Sequence, residues 1–231
     1  MMERVAWITG AGRGLGRALV HKLRGEGVRV AACSRTPDDL ARLAPGDDGL
    51  FWRAFDVGDA GAVASFAAEI VARWGRLDIV VNNAGIGWYK PFLDHSPAEI
   101  GAILRTNLEG PLYVAHAALP HLIAHKGHLI NVASDLARRP LANMVPYVAS
   151  KHGVLGFSAS LLREVKSKGV KVTTFLPGII DTGFGDSTPD SRDETWSMRP
   201  EVLADLLWSA LNQPGHLVLD ELAAHPLHQD F

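Results

Sequence analysis

Cysteine is nearly absent from this chain: Cys33 is the single one in 231 residues. That excludes an internal disulfide framework and a four-cysteine zinc site, and it makes a reducing cytosol the expected compartment. Neither sign of charge is in surplus, since 23 basic and 25 acidic residues leave a formal net charge of -2. A nucleic acid or an acidic membrane surface would call for a basic excess, so neither partner is expected. No stretch reaches the roughly 18 uninterrupted apolar residues of a membrane span. The start, Met1-Met2-Glu3-Arg4-Val5, lacks the basic and apolar segments of a signal peptide. Repeats, low-complexity tracts and linkers are missing as well. The length suits one α/β domain over 1–231, with ample chain to bury a core.

What the chain does have is alternation. Short β-rich apolar runs fall at Arg4–Thr9, Arg29–Cys33, Leu50–Asp56, Asp78–Asn82, His128–Ala133, Lys171–Leu176 and His216–Leu219. Helical patterns separate them at Gly14–Arg24, Asp59–Trp74, Pro97–His125, Tyr147–Lys168 and Pro200–Asn212. This is the signature of βαβ units, so a Rossmann-like doubly wound sheet of about seven parallel strands is expected. Ser96-Pro97 reads as a helix cap followed by a first-turn proline, and Gly169 as a stop after a basic end. Gly110-Pro111 is expected to bend or interrupt the long third helical pattern.

Two features carry chemistry. Tyr147 and Lys151 stand four residues apart, which on a helix puts one side chain above the other. An ammonium beside a phenol favours phenolate, so the tyrosine's pKa is expected to fall from about 10 toward working pH. A phenol so tuned can give a proton to a forming alkoxide or take one from an alcohol. The second feature is the glycine run after the first strand, Thr9-Gly10-Ala11-Gly12-Arg13-Gly14-Leu15-Gly16, which leads directly into a helix. Such a turn lets the backbone approach a pyrophosphate at the helix N-terminus. Its spacing is T-G-x-x-x-G-x-G rather than G-x-G-x-x-G.

With that spacing and Y-x-x-x-K together, the chain resembles the short-chain dehydrogenase/reductase family over nearly its whole length. The family's other landmarks follow in order. Asp56-Val57 stands where the family contacts adenine, and Asn82-Asn83-Ala84-Gly85 where it lines the adenosine side. Asn107 and Ser134 match the catalytic asparagine and serine, and Pro177-Gly178, Ile180 and Thr182 the segment closing over the nicotinamide. The resemblance implies hydride transfer between the cofactor and a carbonyl carbon while Tyr147 protonates the oxygen and Ser134 holds it. It further implies that Lys151 grips the nicotinamide ribose and lowers the tyrosine's pKa. Asn107 would bend its helix and hold a water linking Lys151 to solvent.

Cofactor choice turns on the end of the second strand, where an NAD enzyme usually carries an acid for the ribose 2′-hydroxyl. Here Ser34 and Arg35 occupy that end, and Arg13 lies in the glycine loop. Both arginines either face water or meet a 2′-phosphate; within the family the basic pair resembles the NADP(H) pattern, so NADP(H) is expected over NAD(H). Substrate choice is expected to rest on the segment 181–199, whose acids Asp186, Asp190, Asp193 and Glu194 are offset by Arg192, with Phe184, Trp196 and Met198 as apolar members. A small neutral carbonyl or alcohol fits it best. The stretch Leu217–Leu222 loosely resembles a subgroup that includes hydroxy-acid and serine dehydrogenases.

Other residues invite weaker readings. His121 and His125 lack the glutamate of H-E-x-x-H, and the tail His225-Pro226-Leu227-His228-Gln229-Asp230 is read as packing on a neighbouring subunit, so no metal is expected. Cys33 is read as an inert core residue. Trp88 and Tyr89 either border the substrate opening or pack in the core. Asp135 either faces the pocket, disfavouring anions, or caps the following turn. A homodimer or homotetramer is expected through the helices carrying Asn107 and Tyr147, with Leu155, Leu161 and Leu162 on their apolar faces. Two rivals stand beside this reading. A non-catalytic redox sensor usually loses the tyrosine or lysine, and both remain here. An extended nucleotide-sugar epimerase uses T-G-x-x-G-x-x-G and an added substrate domain, which this chain lacks.

Overall fold

Strand β1, Val5–Thr9, is buried along its whole length. Its side chains alternate between two cores: Ala6 and Ile8 enter one, Val5 and Trp7 the other. Burial on both faces is why the strands read as continuous apolar runs rather than alternating ones. The computed structural model describes residues 3–43, 48–184 and 195–229. After β1 come α1 (Gly14–Gly25), β2 (Arg29–Ser34), α2 (Pro37–Ala41), β3 (Leu50–Ala54), α3 (Ala60–Trp74) and β4 (Ile79–Asn82). The second half runs α4 (Pro97–Leu104), α5 (Gly110–His125), β5 (His128–Val132), α6 (Val145–Val165), β6 (Lys171–Pro177), α7 (Pro200–Leu211) and β7 (Glu221–Ala224).

The seven strands form one parallel sheet in the order β3-β2-β1-β4-β5-β6-β7. Leu15, Leu19 and Leu23 of α1 pack with Leu203, Leu207 and Leu211 of α7 on one face. Phe66 and Ile70 of α3, Val114 and Leu122 of α5, and Leu162 and Val165 of α6 cover the other. Winding runs outward from β1 one way and from β4 the other, so a crevice opens beyond the carboxyl ends of β1 and β4.

The expected caps are present. Ser96 accepts from Glu99 N at 3.3 Å while Glu99 reaches back to Ser96 N at 2.8 Å, with Pro97 in the first turn. Gly169 ends its turn with φ 82°. Two expectations need correction. The third helical pattern breaks into α4 and α5 at a π-turn, Arg105–Glu109, so the interruption precedes Gly110 and Pro111 sits harmlessly in the first turn of α5. The seventh strand is Glu221–Ala224 rather than His216–Leu219, because pairing with Thr174–Pro177 sets its register. At a half-exposed sheet edge apolar content does not select the strand, and the apolar run spends Val218 on packing instead. The one-turn helix α2 went unread. Among the described residues, no helix is long and apolar enough to cross a membrane.

Candidate active site

A cavity of about 880 Å³ lies at the crevice, lined from end to end by residues the sequence singles out. Gly10, Gly12, Arg13, Gly14 and Leu15 form one wall, Ser34 and Arg35 the far end, and Asp56, Val57, Asn83, Ala84 and Gly85 the middle. Ser134, Tyr147, Pro177, Gly178, Ile180 and Thr182 line the other end. Gly16, Lys151 and Asn107 are absent from the lining, and each stands behind it. A side chain on Gly16 would strike the Gly10 carbonyl at 2.2 Å, so that glycine serves close packing of α1 on β1.

The glycine loop is held by its neighbours. Thr9 Oγ1 accepts from the amides of Asn83 and Ala84, both at 3.0 Å. Asn83 Nδ2 returns bonds to the carbonyls of Thr9 and Gly10 at 3.0 and 3.1 Å. Gly14 has φ 51°, and a Cβ there would lie 2.8 Å from Thr182 Cγ2. The segment after β6 therefore rests directly on the loop, and no other residue fits. No side chain of its own caps α1, in contrast to α3, where Asp59 accepts from Gly61 and Ala62. That leaves the α1 N-terminus suited to an anion.

At the distal end, the guanidinium groups of Arg13 and Arg35 carry no protein hydrogen bond or ion pair among the described residues. Asp39 of α2 lines the same corner: a Gly12 side chain would start 2.7 Å from its Cβ and 3.1 Å from Ser34 Oγ. The sequence reading missed Asp39, because an acid from the next helix leaves no mark at the strand end.

The reacting end is built on α6. Tyr147 and Lys151 are both buried, with Lys151 Nζ 5.6 Å from the tyrosine ring centre. Lys151 Nζ donates to the Val132 carbonyl at 2.8 Å. Ser134 faces the phenol and favours its ionised form, and Phe184 meets the ring edge-on at 5.6 Å. Gly87 lies under that ring: a Cβ there would fall 2.7 Å from Tyr147 Cδ2, so the tyrosine's seat needs a glycine.

Titration runs opposite to the sequence expectation. Burial pushes the Tyr147 phenol up to about 12, with Asp135 adding to the rise and the Ser134 hydrogen bond opposing it. Burial pulls the Lys151 ammonium down to about 8. Burial penalises the charged form of both groups, and at this separation it outweighs the pairing the spacing suggested.

Asn107 sits in the π-turn, fully buried. Its Oδ1 accepts from Ile86 N at 2.8 Å, while Nδ2 donates to Ile86 O at 2.8 Å and to Ser150 Oγ at 3.1 Å. Its polar atoms thus pin the segment following Gly85 against α6. Tyr89 borders the opening and is 64% exposed, whereas Trp88 stays half-buried outside the lining. Asp135 both lines the cavity and opens the short turn Asp135–Ala137, which Ser134 caps. Cys33 is fully buried with Trp7 Nε1 against its sulfur at 3.4 Å, and burial pushes its thiol up to about 12.

The profile of the short chain dehydrogenase family matches residues 4–193. This chain belongs to that family. An uncharacterised oxidoreductase from Staphylococcus haemolyticus is 32% identical over 227 residues, 97% of each chain. An alcohol dehydrogenase from the archaeon Thermococcus sibiricus, complexed with 5-hydroxy-NADP, superposes with a TM-score of 0.93 at 28% identity, over 99% of this chain and 98% of that one. A 3-ketoacyl-(acyl-carrier-protein) reductase from Brucella melitensis, complexed with NADH, gives 0.90 at 25% identity over 98% of both. The short-chain dehydrogenase described here is thus an oxidoreductase with a Rossmann-like domain, and its structural neighbours hold either dinucleotide.

Sequence reasoning missed the segment between Ser134 and Tyr147, where Leu136, Arg139, Pro140, Leu141 and Met144 line the short-chain dehydrogenase's cavity. Apolar residues with no motif carry no signal of their own. Of the expected substrate segment, Asp186, Asp190, Arg192, Asp193 and Glu194 lie outside the described residues. Its two stems are tied together: Asp181 N donates to Met198 O, and Met198 N to Ile179 O, both at 2.9 Å. The tail folds onto its own chain, with His228 N donating to Thr195 O at 3.1 Å and Gln229 reaching the cavity.

Proposed function

We propose that this enzyme interconverts a carbonyl and an alcohol on a small neutral substrate with NADP(H), using Tyr147 as the general acid and base. A bound nicotinamide dinucleotide supplies or accepts the hydride. The observation that carries the reading is the position of the Tyr147–Ser134 pair at one end of a cavity whose other end holds the glycine loop, Arg13 and Arg35. Gly12, Gly14 and the α1 N-terminus suit the pyrophosphate, and the two guanidinium groups suit a 2′-phosphate.

In reduction, Tyr147 gives its proton to the forming alkoxide oxygen, and Ser134 holds that oxygen in line. A phenol kept protonated by burial is ready to donate. Lys151, held by the Val132 carbonyl beneath the tyrosine, supplies positive charge where the phenolate develops. Asn107 fixes the backbone beside them.

Size supports a small substrate. Pockets of about 300–1,000 Å³ hold one drug-sized ligand, and here about 880 Å³ must take the dinucleotide as well. Tyr89, Leu141, Met144 and Phe184 make the entrance apolar, and Asp135 disfavours an anionic substrate. A second reading has one observation behind it: Asp39 beside Ser34 offers an acid to a ribose 2′-hydroxyl, as an NAD(H) enzyme would. Self-association through α5 and α6 completes the proposal.

The test is Tyr147→Phe assayed with NADPH and a panel of small ketones and aldehydes. Reduction should fall at least about 100-fold, while NADPH binding followed by fluorescence stays near wild type. Undiminished turnover would refute the role given to the phenol.

A further inference from the structure

Ser134 has one proton and two lone pairs, and the structure accounts for the proton and one lone pair. Its Oγ accepts from Leu136 N at 3.2 Å and donates to Asp135 Oδ1 at 3.0 Å. A carboxylate only accepts, so the serine proton is directed to Asp135. A line of hydrogen bonds therefore runs from Leu136 N to Ser134 to Asp135. It continues one step further, because Gln229 Nε2 donates to the other oxygen, Asp135 Oδ2.

Gln229 is itself fixed at both ends. Its Oε1 accepts from Ile179 N at 2.9 Å, beside Pro177 and Gly178 at the end of β6. Ile179 N needs an acceptor and Asp135 needs a donor, so only one orientation of the amide satisfies both. Space is equally tight: a side chain on Gly178 would meet Gln229 Oε1 at 2.2 Å and His225 Cβ at 2.9 Å. The residue before this clamp, His228, is bonded through its amide to Thr195, at the far stem of the substrate segment.

We propose that Gln229 is a positioning residue of the active site, bridging the ends of β5 and β6 and acting through Asp135 to aim the Ser134 hydroxyl. The C-terminal tail thereby belongs to the catalytic apparatus. Held by Gln229, the carboxylate keeps one oxygen facing Ser134, which leaves the serine poised between Asp135 and an incoming carbonyl oxygen. The inference rests on the reading of Tyr147 and Ser134 as the reacting hydroxyls.

The experiment is a four-member series: wild type, Gln229→Glu, Asp135→Asn, and the double variant D135N/Q229E, with Gln229→Ala as a fifth member. Each single change sets two acceptors or two donors against each other. The double variant reverses the polarity of the bridge while still offering acceptors to Ile179 N and Ser134. With NADPH and the best carbonyl of the panel, each single change should lower kcat about tenfold or more, with KM for NADPH little altered. The double variant should return to within about threefold of wild type, a recovery that loss of tail packing alone cannot produce. Hydrogen–deuterium exchange over residues 177–180 supplies a readout that needs no substrate: protection falls in the single variants and returns in the double. Losses that multiply in the double variant, or equal exchange in all members, would overturn the proposal. If Tyr147→Phe is inactive while the Gln229 series behaves as wild type, only this inference fails. If Tyr147→Phe is fully active, the functional reading beneath it fails first.

Discussion

At the scale of single residues, the site keeps charge where burial opposes it. Lys151 titrates at about 8 in the folded protein against 10.5 ordinarily, because burial penalises the ammonium. Between those values the unfolded chain binds more protons than the folded one, so stability rises with pH across that window. Below about 8 the full penalty applies, on the order of 3 kcal/mol for a shift of this size. The hydrogen bond to Val132 O offsets roughly 1 kcal/mol of it. Lys151→Met should therefore raise Tm at pH 7 by about 4–8 °C while abolishing carbonyl reduction. The gain should shrink above pH 8 and vanish near 10.5; thermal unfolding of both proteins across pH checks it, and equal Tm values at pH 7 would contradict the argument. Tyr147, Lys151, Ser134 and the glycine loop were legible because their chemistry needs fixed spacings along the chain. Asp39 and Gln229 were not, since each reaches the site from a different element and owes its role to folding. Gln229 meets Asp135 across 94 positions of sequence.

Among the elements, legibility followed burial. The central strands were readable because they are apolar on both faces and the edge strand β3 because it still opens on Leu50, Phe51 and Trp52, whereas β7 was misplaced because its register is chosen by its partner. The π-turn at Arg105–Glu109 had no glycine or proline inside it to announce it, yet it is what turns Asn107 toward Ile86 and Ser150. Outward faces were read less well. Leu162 packs into the core beneath the sheet, while Leu155 and Leu161 are only partly buried. Leu112 on α5 and Val145 on α6 stand more exposed still. Apolar side chains left on two long helices suit self-association. Gel filtration at micromolar concentration should show a dimer or tetramer, and Leu112→Glu should shift it toward monomer. A monomeric wild type would exclude the assembly.

For the molecule as a whole, the sheet's change of winding direction between β1 and β4 decides where the lining residues converge, and the proposed choice of dinucleotide rests on the charges at the crevice's far end. Arg13 comes from the loop before α1, Arg35 from the end of β2 and Asp39 from α2, all lining one corner. The two cations favour a phosphate on the 2′-oxygen, whereas Asp39 favours a free hydroxyl. Two charge-assisted bonds of about 1.5–3 kcal/mol each outweigh repulsion from one carboxylate that solvent partly screens. Arg35→Asp both removes one cation and adds an anion, so KM for NADPH should rise about 100-fold against little change for NADH. Asp39→Asn should act in reverse, leaving NADPH use intact or improved and weakening NADH. Equal effects of Arg35→Asp on the two cofactors would mean that both guanidinium groups face water when the dinucleotide is bound, and the preference would then pass to the reading that Asp39 supports.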